Sequence, residues 1–280
     1  MELTVGDEVF GRIQRFLHQR AGISLAPNKK SMVANRLARR VRHHGLPDLE
    51  AYVAFATGPE GGDELRVMLD LLTTNETSFF REPAHFDFLR QHILPHAPSA
   101  RPFRVWSAAS SSGEEPYTLG MVLDEALGSG RWEVLGTDIS TRVLEVARGG
   151  RYPIEHAQRI PRNYLHAYAL RGVRSQEGFM RVSPRLRAAT RFEHFNLNGD
   201  WGDFSERFDV IFLRNVMIYF DPPTKRRLVL RMLDHLQPGG HLIIGHSETL
   251  NGITDRLQAV RPSIYRLTDS PATGGAGKRR

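Results

Sequence analysis

The second half of this 280-residue chain alternates short apolar runs with segments of helical periodicity. The apolar runs, which predict strands, cover residues 103–109, 132–139, 208–213 and 241–245, and the helical segments cover 117–127, 141–148 and 224–236. Strands that alternate with helices pair in parallel through right-handed crossovers. The pattern therefore predicts an α/β fold with a doubly wound parallel sheet.

The residues before this sheet show no strand pattern. Apolar side chains there recur at helical spacing, as at Val33, Leu37 and Val41, and clusters of Gly and Pro separate the helices. The last residues of the chain lack large apolar side chains, which is typical of disorder. We predict an all-helical N-terminal domain at 1–72, a linker helix at 73–100 that begins the ligand pocket, a sheet domain at 101–269 and a disordered tail at 270–280.

Three short strand-like runs, at 169–171, 179–182 and 191–195, interrupt the alternation. They lie too close together for parallel crossovers, which need about a dozen residues or more. We therefore predict a small antiparallel β insertion at about 165–190, after which the run at 191–195 can rejoin the main sheet.

Charge and composition limit the classes of partner and site. The chain has 38 Lys and Arg against 31 Asp and Glu, and its net charge of +7 favours nucleic acid, an anionic membrane surface or an acidic protein as partner. The absence of cysteine excludes a disulfide framework, a thiol nucleophile and a Cys-ligated metal. No apolar run approaches the roughly 18 residues of a bilayer span. The acidic N-terminus lacks a signal-peptide core, so we expect a cytoplasmic protein without membrane insertion.

Acidic side chains follow the first two predicted strands, where ligands of open α/β sheets bind. The loop at 108–117 contains Gly113 and the pair Glu114 and Glu115, and the second strand ends in Asp138. Two carboxylates disfavour a pyrophosphate, which binds to bare N–H groups, and suit a cationic or hydroxyl-bearing ligand. The alternative is that both glutamates only stabilise the first turn of a helix.

Asp138 is placed to accept hydrogen bonds from a ribose diol. No G-x-G-x-x-G motif follows the first strand, which disfavours a dinucleotide and therefore a dehydrogenase. An acid without a phosphate cradle indicates a nucleoside without phosphate. S-adenosylmethionine, with its ribose, adenine and sulfonium cation, matches this description.

Two further polar segments lie beside the predicted strands. Eight of the ten side chains at 73–82 can form hydrogen bonds, although a capped helix start would also explain them. After the fourth strand, packing alone does not explain the pair Arg214 and Asn215. Tyr219, close behind it, also fits a core aromatic residue with its hydroxyl satisfied.

These segments resemble the chemotaxis-receptor glutamate O-methyltransferases of the CheR type. The resemblance rests on residues 73–82, 104–117 and 208–221, and on Gly245-His246-Ser247-Glu248, which is similar to the closing motif of that family. Four motifs in the family's order, over nearly the whole chain, make the resemblance specific. It implies a Rossmann-like class I S-adenosylmethionine-dependent methyltransferase that forms γ-methyl esters on glutamates of chemoreceptor cytoplasmic domains. It also implies the product S-adenosylhomocysteine and no metal.

The resemblance further implies the residues of the site. The implied cofactor-binding residues are Asn75, Thr77, Arg81, Glu114, Asp138, Asn196, Leu197, Leu213, Arg214 and Asn215. It places Arg81 and Tyr219 beside the transferring methyl group, as catalytic residues. A substrate glutamate has a pKa of about 4.3 and is ionised at neutral pH, so no general base is needed. We therefore expect His246 to be structural.

A basic run at 28–44 contains six Lys and Arg residues and no acid. The residues that we expect to contact the partner are Lys29, Arg36 and Arg40, which share one helical stripe, and Arg39 at its edge. We expect this stripe to bind the acidic helical cytoplasmic domain of chemoreceptors, and the alternative is a solvated helix face. No interleaved aromatic residues support nucleic-acid binding. We expect a monomer.

The turn at 171–178 lacks a further glycine that is found in family members which bind a receptor C-terminal peptide. We therefore expect a peptide-independent enzyme. Two alternative functions stay open: a methyltransferase of a small molecule, RNA or another acidic protein, and a regulatory module that binds the cofactor without turnover. The presence of Arg81, Asn215 and Tyr219 together argues against the second alternative.

Overall fold

The computed structural model describes residues 5–268, so the predicted tail at 270–280 lies outside the described residues. The helices of the N-terminal part are α1 (Asp7–Ala21), α2 (Lys30–His43), α3 (Leu49–Thr57) and α4 (Glu64–Leu72). Their apolar stripes meet in one core, in which Ile13, Leu37 and Tyr52 are fully buried. The prediction of a helical N-terminal domain is confirmed.

The rest of the described chain combines helices and strands. The helices are α5 (Ala84–Phe88), which continues through a π-helical turn at Leu89–Ile93, α6 (Glu114–Leu127), α7 (Thr141–Gly149), α8 (Arg162–Tyr168), α9 (Pro184–Ala188) and α10 (Pro222–Asp234). The strands are β1 (Phe103–Ser107), β2 (Trp132–Asp138), β3 (Arg151–Pro153), β4 (Ala169–Arg171), β5 (Phe179–Val182), β6 (Thr190–His194), β7 (Phe208–Leu213), β8 (Leu236–Ile244), β9 (Leu257–Arg261) and β10 (Ile264–Leu267).

Seven strands form the main sheet in the order β6-β2-β1-β7-β8-β10-β9. The first five are parallel to one another. At the far edge, β10 pairs antiparallel with β8, and β9 pairs antiparallel with β10. The predicted doubly wound sheet is confirmed, but the β9–β10 pair is absent from the sequence prediction. Because β9 is an edge strand with mostly exposed side chains, it has little of the apolar signal that reveals a strand.

The antiparallel insertion is a three-stranded sheet in the order β3-β5-β4. The sequence predicts β4 and β5, and it predicts β6, which pairs in parallel with β2 of the main sheet. It misses β3, because this strand has only three residues and only Tyr152 among them is buried. The insertion therefore begins near Arg151 and not near 165.

Apolar side chains cover both faces of the main sheet. One layer packs around Tyr117 and Tyr152, and the other packs around Trp106 and Met232, all of which are buried. Within residues 5–268, no helix has the length and apolar content that crossing a bilayer requires. The carboxyl ends of β1, β2 and β7 turn toward the helical domain.

Candidate active site

A cavity of about 420 Å³ lies between the helical domain and the carboxyl ends of β1, β2 and β7. This volume is in the usual range for small-molecule sites. The sequence-predicted residues that line it are Lys29, Asn75, Thr77, Arg81, Asp138, Asn196, Leu197, Arg214, Asn215 and Tyr219. Glu114 and Leu213 are not among the lining residues.

Asp138 occupies the last position of β2 and is buried. Its Oδ2 accepts a hydrogen bond from the backbone N–H of Ser111, and its Oδ1 accepts one from Ser140, both at 2.9 Å. Burial raises the pKa of Asp138, and these N–H donors limit the rise. Each oxygen retains a lone pair, so the carboxylate can also accept the two hydroxyls of a ribose.

The turn after β1 brings one of its two glutamates to the cavity. The chain enters α6 through Gly113, whose φ of +96° favours glycine and where a β carbon would lie 2.8 Å from that of Ala147. Glu115 lines the cavity. Glu114 points elsewhere: it accepts a hydrogen bond from Ser112 Oγ at 2.7 Å and lies 3.3 Å from His156 Nδ1.

This placement corrects the sequence expectation for Glu114. Successive side chains on an α-helix point about 100° apart, so two adjacent glutamates do not face the same cavity. Burial raises the pKa of both Glu114 and Glu115. The structure thus makes Glu115 the acid of this loop on the cavity wall, whereas the family resemblance implies Glu114.

Arg214 follows β7 and connects three segments of the site. Its buried guanidinium donates to Glu115 Oε2 at 2.8 Å, lies 3.1 Å from Glu82 Oε2 and donates to the backbone carbonyl of Arg81. Burial alone would raise the pKa of Glu82, but Arg214 and Asn215 bring it below its usual value. Arg214 is therefore neutralised by two carboxylates and holds the surrounding loops together.

Arg81 and Tyr219, the predicted catalytic residues, both line the cavity. Arg81 Nη1 donates to the carbonyl of Glu76 at 2.7 Å, which orients the guanidinium. Tyr219 ends a 3₁₀ turn, and its carbonyl accepts the N–H of Ser24 at 2.7 Å. The structure thus brings both residues to one site, with Tyr219 fixed against the helical domain.

Two other predicted cofactor residues have mainly structural side-chain contacts. Asn196 Nδ2 donates to the carbonyl of Arg20 at 2.6 Å, so its amide joins the sheet domain to the end of α1. Leu213 is fully buried in the core of the sheet and does not reach the cavity, which corrects its predicted role. Its place in the apolar lining is taken by Ile139, Phe195 and Leu197.

The helical domain forms the opposite wall of the cavity, which the sequence argument missed. The connection between α1 and α2 contributes Ile23, Ser24 and Leu25, and α2 contributes Met32. None of these residues belongs to a recognisable motif. The only signal that could have found them is the short irregular segment between two strongly periodic helices.

Two of the four residues predicted to contact a partner are engaged inside the helical domain. Arg36 donates to the carbonyl of Thr73 at 2.8 Å, beyond the end of α4. Arg40 Nε donates to the buried Glu64 at 2.8 Å. Burial opposes ionisation of Glu64, but hydrogen bonds from Arg40 and Tyr52 lower its pKa to about 2.

Arg36 and Arg40 therefore stabilise the fold, and their predicted contact with a partner stays a prediction. Lys29 and Arg39 are exposed. Lys29 also lies at the cavity, whereas Arg39 is not among the lining residues.

Among residues 5–268, Glu82, His85 and His246 place potential metal-ligand atoms within 4.8 Å of one another. Arg214 Nη2 lies 3.1 Å from Glu82 Oε2, the oxygen that also faces both histidines. Repulsion between the guanidinium and a metal ion disfavours a metal there. We assign no metal ion to this group.

Comparison with known proteins gives a consistent result. The family model "CheR methyltransferase, all-alpha domain" matches residues 8–73, and "CheR methyltransferase, SAM binding domain" matches residues 75–265. A chemotaxis protein methyltransferase of Escherichia coli (strain K12) is 40% identical over 268 residues, which cover 95% of this chain and 93% of that protein.

Two further relatives have the same extent of similarity. A chemotaxis protein methyltransferase of Salmonella typhimurium is 39% identical over 272 residues, with 96% of this chain and 93% of that protein covered. Chemotaxis protein methyltransferase 2 of Pseudomonas aeruginosa is 39% identical over 261 residues, with 92% of each chain covered. The similarity therefore includes both the helical and the sheet domain.

Proposed function

Because this chain belongs to the CheR methyltransferase family, we propose that the cavity between its two domains is where a receptor glutamate meets S-adenosylmethionine. The protein is an S-adenosylmethionine-dependent methyltransferase of chemotaxis that forms glutamate methyl esters on chemoreceptors. The observation that carries the assignment of the site is that Asp138, Glu115, Arg81 and Tyr219 line one cavity of about 420 Å³.

The residues of the cavity fit the cofactor. Asp138 is the acceptor for the ribose hydroxyls, because its carboxylate is fixed by two backbone N–H groups at the end of β2. Ile139, Phe195 and Leu197 supply an apolar wall for the adenine ring. Arg81 is suited to pair with a carboxylate, of either the cofactor's amino-acid part or the substrate.

When bound, S-adenosylmethionine supplies a methyl group activated by a sulfonium cation. The substrate glutamate is already ionised at neutral pH, so the protein has no proton to remove. Its residues contribute by orienting and desolvating the two reactants. Well-oriented reactants reach effective molarities of about 10⁵–10⁸ M. We propose that Arg81 and Tyr219 orient the attacking carboxylate and that the two domains exclude water from it.

We propose that the partner surface lies beside the cavity on the helical domain. Lys29 is exposed at the cavity, Arg39 is exposed further along α2, and the net charge of +7 favours an acidic partner. These charges are suited to the acidic helices of a receptor cytoplasmic domain. We further propose that the protein acts as a monomer, does not bind nucleic acid and needs no receptor C-terminal peptide.

The decisive experiment incubates the protein with methyl-labelled S-adenosylmethionine and receptor cytoplasmic fragments. We expect label that is released as methanol by mild base, and no label on a fragment whose exposed glutamates are replaced by alanine. Base-stable label would indicate methylation of nitrogen or carbon, and transfer to RNA would indicate the alternative substrate class. Cofactor binding without transfer to any fragment would indicate a regulatory module.

A further inference from the structure

The carboxylate of Glu248 is surrounded by backbone N–H donors. Its Oε2 accepts hydrogen bonds from Gly245 at 2.7 Å and from Asn215 at 2.9 Å. Its Oε1 accepts hydrogen bonds from Met217 at 2.7 Å and from Ile218 at 3.3 Å. Three of these four donors belong to the loop after β7, which lies 30 or more residues away in sequence.

The loop that Glu248 holds carries Asn215 and Tyr219 of the candidate active site. Asn215 and Tyr219 both line the cavity, whereas Glu248 is not among the lining residues. Asn215 has a φ of +57°, in the left-handed region that asparagine tolerates better than most residues with a side chain. The bond from the Asn215 N–H to Glu248 fixes the backbone at this point, where the loop turns.

Gly245 makes this close approach possible. A β carbon at position 245 would lie 2.6 Å from Asn215 Nδ2 and 2.9 Å from Glu248 Oε2. Only glycine at position 245 therefore lets the chain after β8 pass beside the loop after β7 while the carboxylate of Glu248 faces that loop. The segment from Gly245 to Glu248 therefore contacts the loop after β7 both through the backbone of Gly245 and through the side chain of Glu248.

We propose that Glu248 is a positioning residue for methyl transfer, which sets the loop with Asn215 and Tyr219 against the two reactants. The inference rests on the proposed function, since it requires that Tyr219 lies beside the reacting groups. A carboxylate suits this role because both of its oxygens only accept hydrogen bonds. A glutamine of the same shape would turn an NH₂ group toward two N–H donors and displace the loop.

The test is Glu248→Gln, with Ser247→Ala as the control because Ser247 is its exposed neighbour. We expect the Gln variant to fold and its kcat to fall by at least roughly tenfold, with the KM for the receptor fragment changed by less than about twofold. The control should retain the wild-type kcat. An unchanged kcat in folded Glu248→Gln would overturn the proposal.

A double-mutant cycle with Tyr219→Ala distinguishes positioning from a general loss of stability. If Glu248 acts through the loop, its substitution lowers kcat much less in the Tyr219→Ala background than in the wild type. The same fold loss in both backgrounds would overturn the proposal. Failure of the proposed function is distinct, since the wild-type protein would then transfer no label to receptor fragments.

If Glu248→Gln does not fold, Gly245→Ala tests the same contact from the other side. Its β carbon would press on the amide of Asn215, so kcat should fall while cofactor binding persists. A Gly245→Ala variant with wild-type kcat would overturn the proposal.

Discussion

Arg214 Nη1 lies 2.8 Å from Glu115 Oε2, and this buried ion pair joins the loop after β7 to the first turn of α6. On its other side the same guanidinium meets Glu82. The three charges have little exposure to water, so loss of one partner would leave another buried and uncompensated. The ion pair therefore fixes how the main loops of the site face one another.

The first prediction separates the two adjacent glutamates. Glu115→Gln should weaken binding of S-adenosylhomocysteine by about tenfold or more, because it removes the acid on the cavity wall and one partner of Arg214. Glu114→Gln should bind within about twofold of the wild type, because Glu114 faces Ser112 and His156. Calorimetric titration of both variants provides the measurement. The opposite order of affinities would show that the structure assigns the wrong glutamate.

The second prediction concerns Asp138. Asp138→Ala should weaken S-adenosylhomocysteine binding by roughly tenfold to a hundredfold, because the acceptor for the ribose hydroxyls is lost. The same titration measures the effect, and circular dichroism establishes that the variant is folded. Unchanged affinity in a folded Asp138→Ala protein would contradict the assignment of this cavity to the cofactor.

The sequence predicts those residues of the site that lie at the carboxyl ends of strands. Asp138 and Arg214 are predictable because one ends an apolar strand and the other directly follows one, and parallel strands bring their carboxyl ends to one edge. The helical domain is predictable because its apolar stripes are regular. The choice between Glu114 and Glu115 is different, since it depends on where α6 begins and how it is rotated.

Other features depend on contacts between distant segments. The sequence around Arg40 indicates an exposed charge, because its partner Glu64 lies 24 residues away in sequence and meets it only in the folded domain. Ser24 and Leu25 line the cavity because the segment after α1 meets the loop after β7, where the Ser24 N–H donates to the carbonyl of Tyr219. β3 and β9 are short or exposed, so tertiary pairing and not local sequence makes them strands.

The third prediction concerns the hydroxyl of Tyr219. Tyr219→Phe should retain kcat within about tenfold of the wild type, because the substrate carboxylate needs no base and the ring keeps its place. Tyr219→Ala should lose more, since it removes the ring from the cavity wall. Initial rates of base-labile methyl transfer at saturating cofactor measure both effects. A complete loss of activity in Tyr219→Phe would instead indicate an essential proton or hydrogen-bond role.

The fourth prediction separates docking charges from structural charges on α2. Arg39→Glu should weaken association with receptor fragments without unfolding the domain, because Arg39 is exposed. Arg40→Leu should lower the free energy of unfolding by about 3 kcal/mol, because it removes the guanidinium that pairs with the buried Glu64 and leaves this carboxylate only Tyr52 and His44 as partners.

Binding assays at increasing salt and urea unfolding measure the two effects. Wild-type association should weaken as salt rises, and Arg39→Glu should reduce that dependence. Salt-insensitive association, or unaltered binding by Arg39→Glu, would argue against the docking surface.

The fifth prediction concerns the pH dependence of stability. Burial, together with Arg214 and His246, lowers the pKa of His85 to about 4, and Glu82 only partly opposes this shift. The unfolded chain therefore binds a proton at this histidine more strongly than the folded chain does. The contribution of neutral His85 to stability is complete above about pH 6.5 and is lost as the pH falls toward 4.

Between about pH 7.5 and pH 5 this difference should lower the free energy of unfolding by about 2 kcal/mol. His241, whose pKa is also lowered to about 4 by burial and by Arg266, contributes in the same direction. Substitution of His85 by glutamine should therefore reduce the pH dependence but not abolish it. Urea unfolding at the two pH values measures this, with His166→Gln as the control because His166 is exposed. If His85→Gln kept the full wild-type difference between the two pH values, His85 would not be buried in its neutral form.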